Sequence, residues 1–345
     1  MKLDDFDFSL PDELIAQHPA PERDGSRMML IRRTTGERAH LRFRDLPDVL
    51  GPEYFLVVNN TKVFPARLRA HRPEKNEEIE ILMLREQRPG LWLALLKPGR
   101  KTPVGQKLLA GDLTAEVVAV TASGSRLLEF DHRENLPEIL EKIGEPPIPP
   151  YIHRGNTHDF TEDRQRYQTV YARHSGSVAA PTAGLHFTDD VLKRLDARSI
   201  PVCQLQLHVG YGTFKPVHAE NIEEHEMEPE FYSIDDETAA RISSLKTEGR
   251  QLVAVGTTST RCLEYLAREA YSFDQASSGW CNLFIYPGFE FRMLDGLITN
   301  FHLPKSTLFM LASAFAGREL LLDCYREAIS LGYRFYSYGD CMLIL

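Results

Sequence analysis

Long apolar runs are absent from this chain of 345 residues. No stretch approaches the roughly 20 residues that a membrane-spanning helix needs, and the most apolar segment, STLFMLASAFAG at 306–317, is short and flanked by Lys305, Arg318 and Glu319. It reads as a core helix with wet ends. The first ten residues, MKLDDFDFSL, are acidic and lack a basic region followed by an apolar one, so no secretory signal is expected. Cysteine is sparse: Cys203, Cys262, Cys281, Cys324 and Cys341 are odd in number, scattered, and never form a C-x-x-C pair. Reduced, buried thiols in a cytoplasmic protein are expected, without a structural zinc. The common site motifs are also missing: no G-x-S-x-G elbow, no phosphate-binding P-loop, no H-E-x-x-H, no G-x-G-x-x-G after a strand. GYGTF at 210–214 lacks a third glycine and a following helix, which disfavours an ordinary dinucleotide or methyltransferase fold. Overall basicity is missing too, with a net charge of −9. A nucleic-acid partner is still open, because residues 62–107 hold 11 Lys/Arg against 5 Asp/Glu.

What is present is a recurring kind of loop. RYQTVYARHSGSVAAPTAGLHFT (166–188) is rich in Gly, Ala and Ser, which let a backbone approach a ligand closely. Thr188 reads as a helix N-cap, with Asp189 and Asp190 in the first turn. LQLHVGYGTFKPV (205–217) reads as an alternating strand that breaks at Gly210 and Gly212. LVAVGTTSTRCLEYL (252–266) reads as a buried strand, a hydroxyl-rich turn, then a helix. LITNFHLPKSTLFMLASAFAG (297–317) reads as strand, loop and a helix from Ser306, stopped by Gly317. YRFYSYGDCMLIL (333–345) reads as an aromatic strand, a Gly-Asp turn and an apolar end. Open α/β sheets and barrels place ligands at such strand ends. Four or five of them in one chain predict a composite site.

The texture changes along the chain. MMLIRR and EYFLVVNN read as strands in residues 1–62. Residues 63–150 are short alternating runs separated by Pro, Gly, Asp and Ser turns, then a short helix LPEILEKIG and a Pro-rich exit. From 151 to 345 strand and helix patterns alternate. The prediction is an α/β main domain, barrel-like or a mixed sheet, from 1–62 and 151–345, with a small antiparallel β-barrel inserted at 63–150. LLKPGRKTPVGQK places Lys97, Arg100 and Lys101 around Pro98 and Gly99, an exposed turn suited to RNA phosphates or simply a solvated face. Lys62, where the insert begins, has the same two readings.

Long segments carry a family resemblance. RYQTVYA with GSVAAPTAGLHFT, HVGYGTF, VGTTSTR, FIYPG, TNFHLPKSTLFML and SYGD, together with LPDELIAQHPAPERDGSRMM, LVVNNTKVFPARL, LLKPGRK and PPYIHR, resemble the S-adenosylmethionine:tRNA ribosyltransferase-isomerases of queuosine biosynthesis. The match runs from Asp4 to Ile344. Three positions depart: Gln165 stands for the usual Glu, Glu228-Pro229 for His-Ser, and Cys341 for Ala. No catalytic role is therefore carried over to position 228.

The resemblance implies an α/β domain interrupted by a β-barrel, S-adenosylmethionine as cosubstrate and no metal. The implied partner is a tRNA bearing 7-aminomethyl-7-deazaguanine at the wobble position; the chain itself is expected to be a cytoplasmic monomer. The ribosyl portion of the cosubstrate would move to the aminomethyl group, adenine and methionine would leave, and the product would be epoxyqueuosine. That chemistry needs a base beside the sulfonium, a proton donor for adenine and a neutral acceptor amine. His186, His208, His225 and His302 lie in the matching segments and titrate near pH 6.5, although each also fits a hydrogen-bonded structural histidine. His186 and His208 are the candidates for proton transfer, and their replacement by Ala is expected to lower turnover while sparing the fold. Asp340 is a candidate for ribose hydroxyls or the amine, or a turn-former. Thr257, Thr258 and Arg261 suit the methionine carboxylate or plain capping. Tyr167, with Tyr171, suits stacking or an ordinary helix face. Ser177, Thr182, Gly184, Gly210, Gly212 and His302 complete the expected cosubstrate loops. Two other classes stay open: a noncatalytic tRNA-binding or chaperone protein, favoured by the basic insert, and a small-molecule hydrolase or lyase using His186 with Ser177 or Thr182.

Overall fold

The computed structural model describes residues 1–133, 135–155, 159–214, 217 and 219–345, the side chains of 76, 213 and 214 apart. Four strands come first: β1 (Arg27–Ile31), β2 (Arg38–Arg42), β3 (Tyr54–Asn59) and β4 (Thr61–Val63). The next six are β5 (Arg67–Arg72), β6 (Lys75–Arg88), β7 (Leu91–Lys97), β8 (Lys107–Ala110), β9 (Leu113–Val120) and β10 (Arg126–Phe130). The last seven are β11 (His174–Ser177), β12 (Val202–Leu207), β13 (Glu230–Ile234), β14 (Gln251–Val255), β15 (Ser277–Cys281), β16 (Gly296–Asn300) and β17 (Cys341–Ile344). Helices are α1 (Leu46–Val49), α2 (Leu136–Ile143), α3 (Thr161–Arg166), α4 (Asp189–Ala197), α5 (Asp236–Thr247), α6 (Gly256–Arg268), α7 (Thr307–Ala316) and α8 (Arg318–Ser330).

Nine strands form one mixed sheet in the order β15-β13-β12-β3-β14-β16-β17-β1-β2. The main body is thus a mixed open sheet, the second of the two forms expected. Its centre, β12-β3-β14-β16, is parallel, and β3, β14 and β16 are buried along nearly their whole length. Continuous Val, Leu and Ile runs such as FLVV and LVAV suit strands covered on both sides. One core packs α5, α6, α7 and α8 on the sheet, and a second puts α4 and α1 on the other side.

The strands β10-β7-β6-β5-β8-β9 close into an antiparallel barrel. Trp92, Ala94 and Leu96 of β7 and Leu113, Ala115 and Val117 of β9 alternate inward, as period-two patterning requires. Val178 of the small-residue loop also packs on the barrel core. Leaving the barrel, the Pro-rich segment is pinned where Arg154 clasps Asp163 of α3 with two bonds of 2.8 and 2.9 Å, both side chains buried.

Helix starts follow the sequence closely. Thr188 caps α4 by accepting from Val191 N, and Ser306 caps α7 by accepting from Phe309 N. Two local readings need correction. The hydroxyl-rich stretch after β14 is no turn: α6 begins at Gly256, so Thr257 and Thr258 lie in its first turn. Gly256 has φ +88, a conformation that only glycine adopts cheaply, and this lets the strand swing straight into the helix. The aromatic segment 333–340 is not a strand either. The Asp340 carboxylate accepts from Arg334 N and Arg27 N, both at 2.8 Å, and folds the segment into a compact turn before β17.

Candidate active site

The carboxyl ends of the parallel strands open on a narrow cleft. The loop before α4 gives Ala179, Ala180, Pro181, Thr182 and Ala183 to its wall. Val209 follows β12; Gly256, Thr257 and Thr258 start α6; Thr299, Asn300 and His302 follow β16; Tyr336 and Ser337 come from the C-terminal turn. Thr257, Thr258 and Leu308 also line an adjoining recess with Met227, Arg261 and Leu283–Ile285. The first turns of α6 and α7 therefore meet at one place. The N-cap residue of α6, Val255, makes no side-chain capping bond, so the first amides of the helix start beside the cleft with the positive end of the helix dipole behind them. The alanines and Gly256 leave room beside those amides.

Asn300 organises the cleft wall. Its amide nitrogen donates to the carbonyls of Tyr336 at 2.9 Å and Ser337 at 3.3 Å. That fixes its oxygen toward His186, whose Nε2 donates to it at 3.1 Å. His186 itself is buried, its ring 5.2 Å from that of Phe43. Burial pushes its pKa below the ordinary histidine value, against the opposing pull of Asn300 and Asp340. His186 thus stands behind the wall and ties three cleft segments together. His302 lines the cleft directly. Its Nε2 lies 2.8 Å from the Thr299 hydroxyl, its backbone N–H donates to Tyr325, and burial lowers its pKa to about 3.

The remaining expected residues are distributed around this cleft. Thr182, Thr257, Thr258 and His302 line it. Ser177 is fully buried, donating to Ala179 O and accepting from Val209 N, which ties the small-residue loop to the end of β12. Gly184 is a packing glycine, since a Cβ there would sit 2.1 Å from the Tyr171 hydroxyl. Gly210 N donates to Glu230 Oε1 at 2.9 Å, and a Cβ on Gly212 would meet Glu228 at 2.7 Å. Arg261 borders the recess, but its guanidinium bonds the buried Glu230 carboxylate and the Leu283 carbonyl. Tyr167 is 1% exposed. Its hydroxyl lies beside Ala180 and Ser337, behind the wall. Tyr167 and Tyr171 do not share a helix face, because α3 ends at Arg166. Asp340 supports the C-terminal turn and pairs with Arg27 at 3.2 Å.

His208 points away from the cleft, opposite Val209. Its Nδ1 lies 2.8 Å from the Thr61 hydroxyl, and burial lowers its pKa to about 4. Lys62, Lys97, Arg100 and Lys101 are exposed. Arg100 and Lys101 border an open depression on the barrel with Arg72 and Lys75, where Glu77 pairs with both Lys101 and Arg72. Sequence reasoning left Tyr336 and Ser337 out of the site. The SYGD motif was the available signal, masked by the strand reading. Among the described residues no group of three or more His, Cys, Asp or Glu is placed to hold a metal ion, and no helix is long and apolar enough to cross a membrane.

The chain is similar to known proteins along its whole length. Residues 3–344 match the family model described as "Queuosine biosynthesis protein". The S-adenosylmethionine:tRNA ribosyltransferase-isomerase of Moorella thermoacetica is 50% identical over 348 residues, and that of Desulfitobacterium hafniense 48% over 347, each covering all of both chains. The crystal structure of S-adenosylmethionine tRNA ribosyltransferase from Thermotoga maritima is similar with a TM-score of 0.57 at 36% identity, over 99% of this chain and 100% of that one.

Proposed function

The chain belongs to the queuosine biosynthesis protein family, and from that premise we propose that the cleft at the ends of β12, β3, β14 and β16 binds S-adenosylmethionine. The activity is that of the relatives. The ribosyl moiety of S-adenosylmethionine is transferred and isomerised onto 7-aminomethyl-7-deazaguanine at the tRNA wobble position, giving epoxyqueuosine with release of adenine and methionine. The observation that carries the site assignment is the meeting of the α6 and α7 N-termini beside a small-residue wall. The methionine carboxylate binds the uncapped amides of Thr257 and Thr258. Arg261, held by Glu230, steadies the start of α6 from below.

The nucleoside lies against Thr182, Thr299, Asn300 and His302. A protonated imidazole beside the sulfonium would repel it. Burial keeps His302 and His186 neutral at pH 7, so the cleft receives one cation without a second. His186 positions Asn300; Asp340 positions the turn that carries Tyr336 and Ser337; Ser177 and His208 brace the end of β12. Tyr167, Gly184, Gly210 and Gly212 shape the loops behind the wall. The barrel contributes tRNA affinity through Lys97 and Arg100, with Lys101 shared with Glu77, and Lys62 lies at the root of the barrel. The enzyme works as a cytoplasmic monomer without a metal. Incubation with labelled S-adenosylmethionine and precursor-modified tRNA tests the reading: adenine release that depends on the precursor is expected. Tight tRNA binding without turnover, or turnover of a small substrate without RNA, would overturn it.

A further inference from the structure

Away from the cleft, β12, β13 and β15 present one side to the core and the other to solvent. Leu205, Leu207, Tyr232, Ile234 and Cys281 are buried, while His208, Phe231 and Trp280 emerge on the opposite side as strand alternation dictates. These three rings form a ladder across the strands. His208 stacks on Phe231 with centroids 5.7 Å apart and planes 26° apart, and Phe231 meets Trp280 edge-on at 5.7 Å. The inner rung is held firmly: besides its bond to Thr61, the His208 ring lies so close to Gly176 that a Cβ there would be 2.5 Å from Nε2. The outer rung is open, because Trp280 is 46% exposed.

One cation lies on this ladder and two more stand in the segments beside it. The Arg85 guanidinium, reaching across from the barrel, lies 4.8 Å from the Trp280 ring centroid. Arg173, just before β11, and Lys62, next to Thr61 on β4, are exposed in the segments that flank His208. Among the described residues, none of these three cations pairs with a carboxylate. Next to His208 in the chain stands Val209, which lines the cleft. The ladder therefore starts one residue from the cleft wall, on the opposite side of the chain, and runs to the edge strand β15. A half-open indole in a fixed aromatic row, with an unpaired guanidinium over it and further unpaired cations in the neighbouring segments, is the combination that recognises unpaired nucleotides. A protein partner would be expected to meet such cations with carboxylates, whereas RNA supplies phosphates along its whole length.

We propose that this ladder is the docking platform for an unpaired anticodon-loop nucleotide next to the one being modified. A neighbouring base stacks on Trp280 while Lys62, Arg85 and Arg173 face the adjacent phosphates. The proposal rests on the reading of the chain as a tRNA-modifying enzyme. It is tested with Trp280→Ala and Trp280→Phe in the adenine-release assay, with thermal melting as a control for folding. Trp280→Ala should raise the KM for tRNA about tenfold, the order expected for losing one base–aromatic stack. The KM for S-adenosylmethionine and kcat at saturating tRNA should stay within about twofold, and Phe should recover most of the loss. The chain has two tryptophans, so in a Trp92→Phe background the emission reports Trp280 alone and should be quenched by tRNA. An unchanged KM for tRNA in Trp280→Ala, or emission that tRNA leaves unaltered, overturns the platform. So does light scattering that shows a wild-type dimer dissociated by Trp280→Ala, which would assign the face to a second copy. If the wild type releases no adenine with precursor-modified tRNA, the functional reading itself falls and takes the platform with it.

Discussion

Replacing His186 separates a positioning role from proton transfer. In His186→Ala the ring beside Phe43 is lost, and Asn300 Oδ1 loses the donor it holds at 3.1 Å. The orphaned amide oxygen costs about 1–3 kcal/mol. The space left by the ring adds to this, so a total of about 3 kcal/mol is expected. Sequence alone suggested that folding would be spared, since no apolar core is emptied; the burial of His186 against Phe43 corrects that. The activity loss should come through Asn300, whose amide also fixes the Tyr336 and Ser337 carbonyls in the cleft wall. Misplacing such a wall by about 1 Å can cost 10²-fold in rate, so kcat should fall by about that factor. His186→Gln is the discriminating variant, because its amide N–H can still reach Asn300 but cannot relay a proton. Adenine release at saturating S-adenosylmethionine and precursor tRNA, measured beside thermal melting, should show Gln within about tenfold of wild type. A well-folded Gln variant as inactive as Ala would refute positioning and return His186 to direct proton transfer.

Stability should depend on pH through the buried histidines. His302 and His208 take up protons only near 3 and 4 in the folded chain, against about 6.5 when unfolded. Their contribution is complete above pH 6.5 and is lost as pH falls, at up to about 1.4 kcal/mol per pH unit for each ring. The melting temperature should hold from pH 8 to 7 and drop between pH 6 and 5, and the drop should be shallower in His302→Asn; a flat profile contradicts this. Gly184→Ala forces a Cβ to 2.1 Å from the Tyr171 hydroxyl and 2.8 Å from Thr169, an overpacking worth about 1–3 kcal/mol; an unshifted denaturant midpoint would count against that packing. Changing Lys97, Arg100 and Lys101 together to Ala should weaken tRNA binding. Because Lys101 is already paired with Glu77, the slope of log affinity against log salt should flatten by about two contacts and not three. An unchanged slope would leave that surface merely solvated.

The amino-acid pattern determined the architecture because its signals are local. Apolar runs such as FLVV and LVAV marked strands, the second of them as buried, and short alternating runs such as LWLALLK marked the barrel. Thr188 and Ser306 announced their helices through hydrogen bonds that span only three residues. The clustering of glycines, hydroxyls and histidines at strand ends likewise pointed to the loops around the cleft. Which side chains face that cleft was decided by contacts distant in sequence. His186 meets Asn300 across 114 residues, and Arg27 meets Asp340 across 313. Neither pairing leaves a mark in the local pattern. The turn at 333–340 looked like an aromatic strand because its fold depends on a carboxylate bonded to β1. Arg261 looked free to bind an anion because Glu230, 31 residues away, shows no periodic link to it. Local hydrogen bonds and patterning set the elements; burial and long-range pairing, which exist only once the sheet has assembled, set the chemistry each residue can offer.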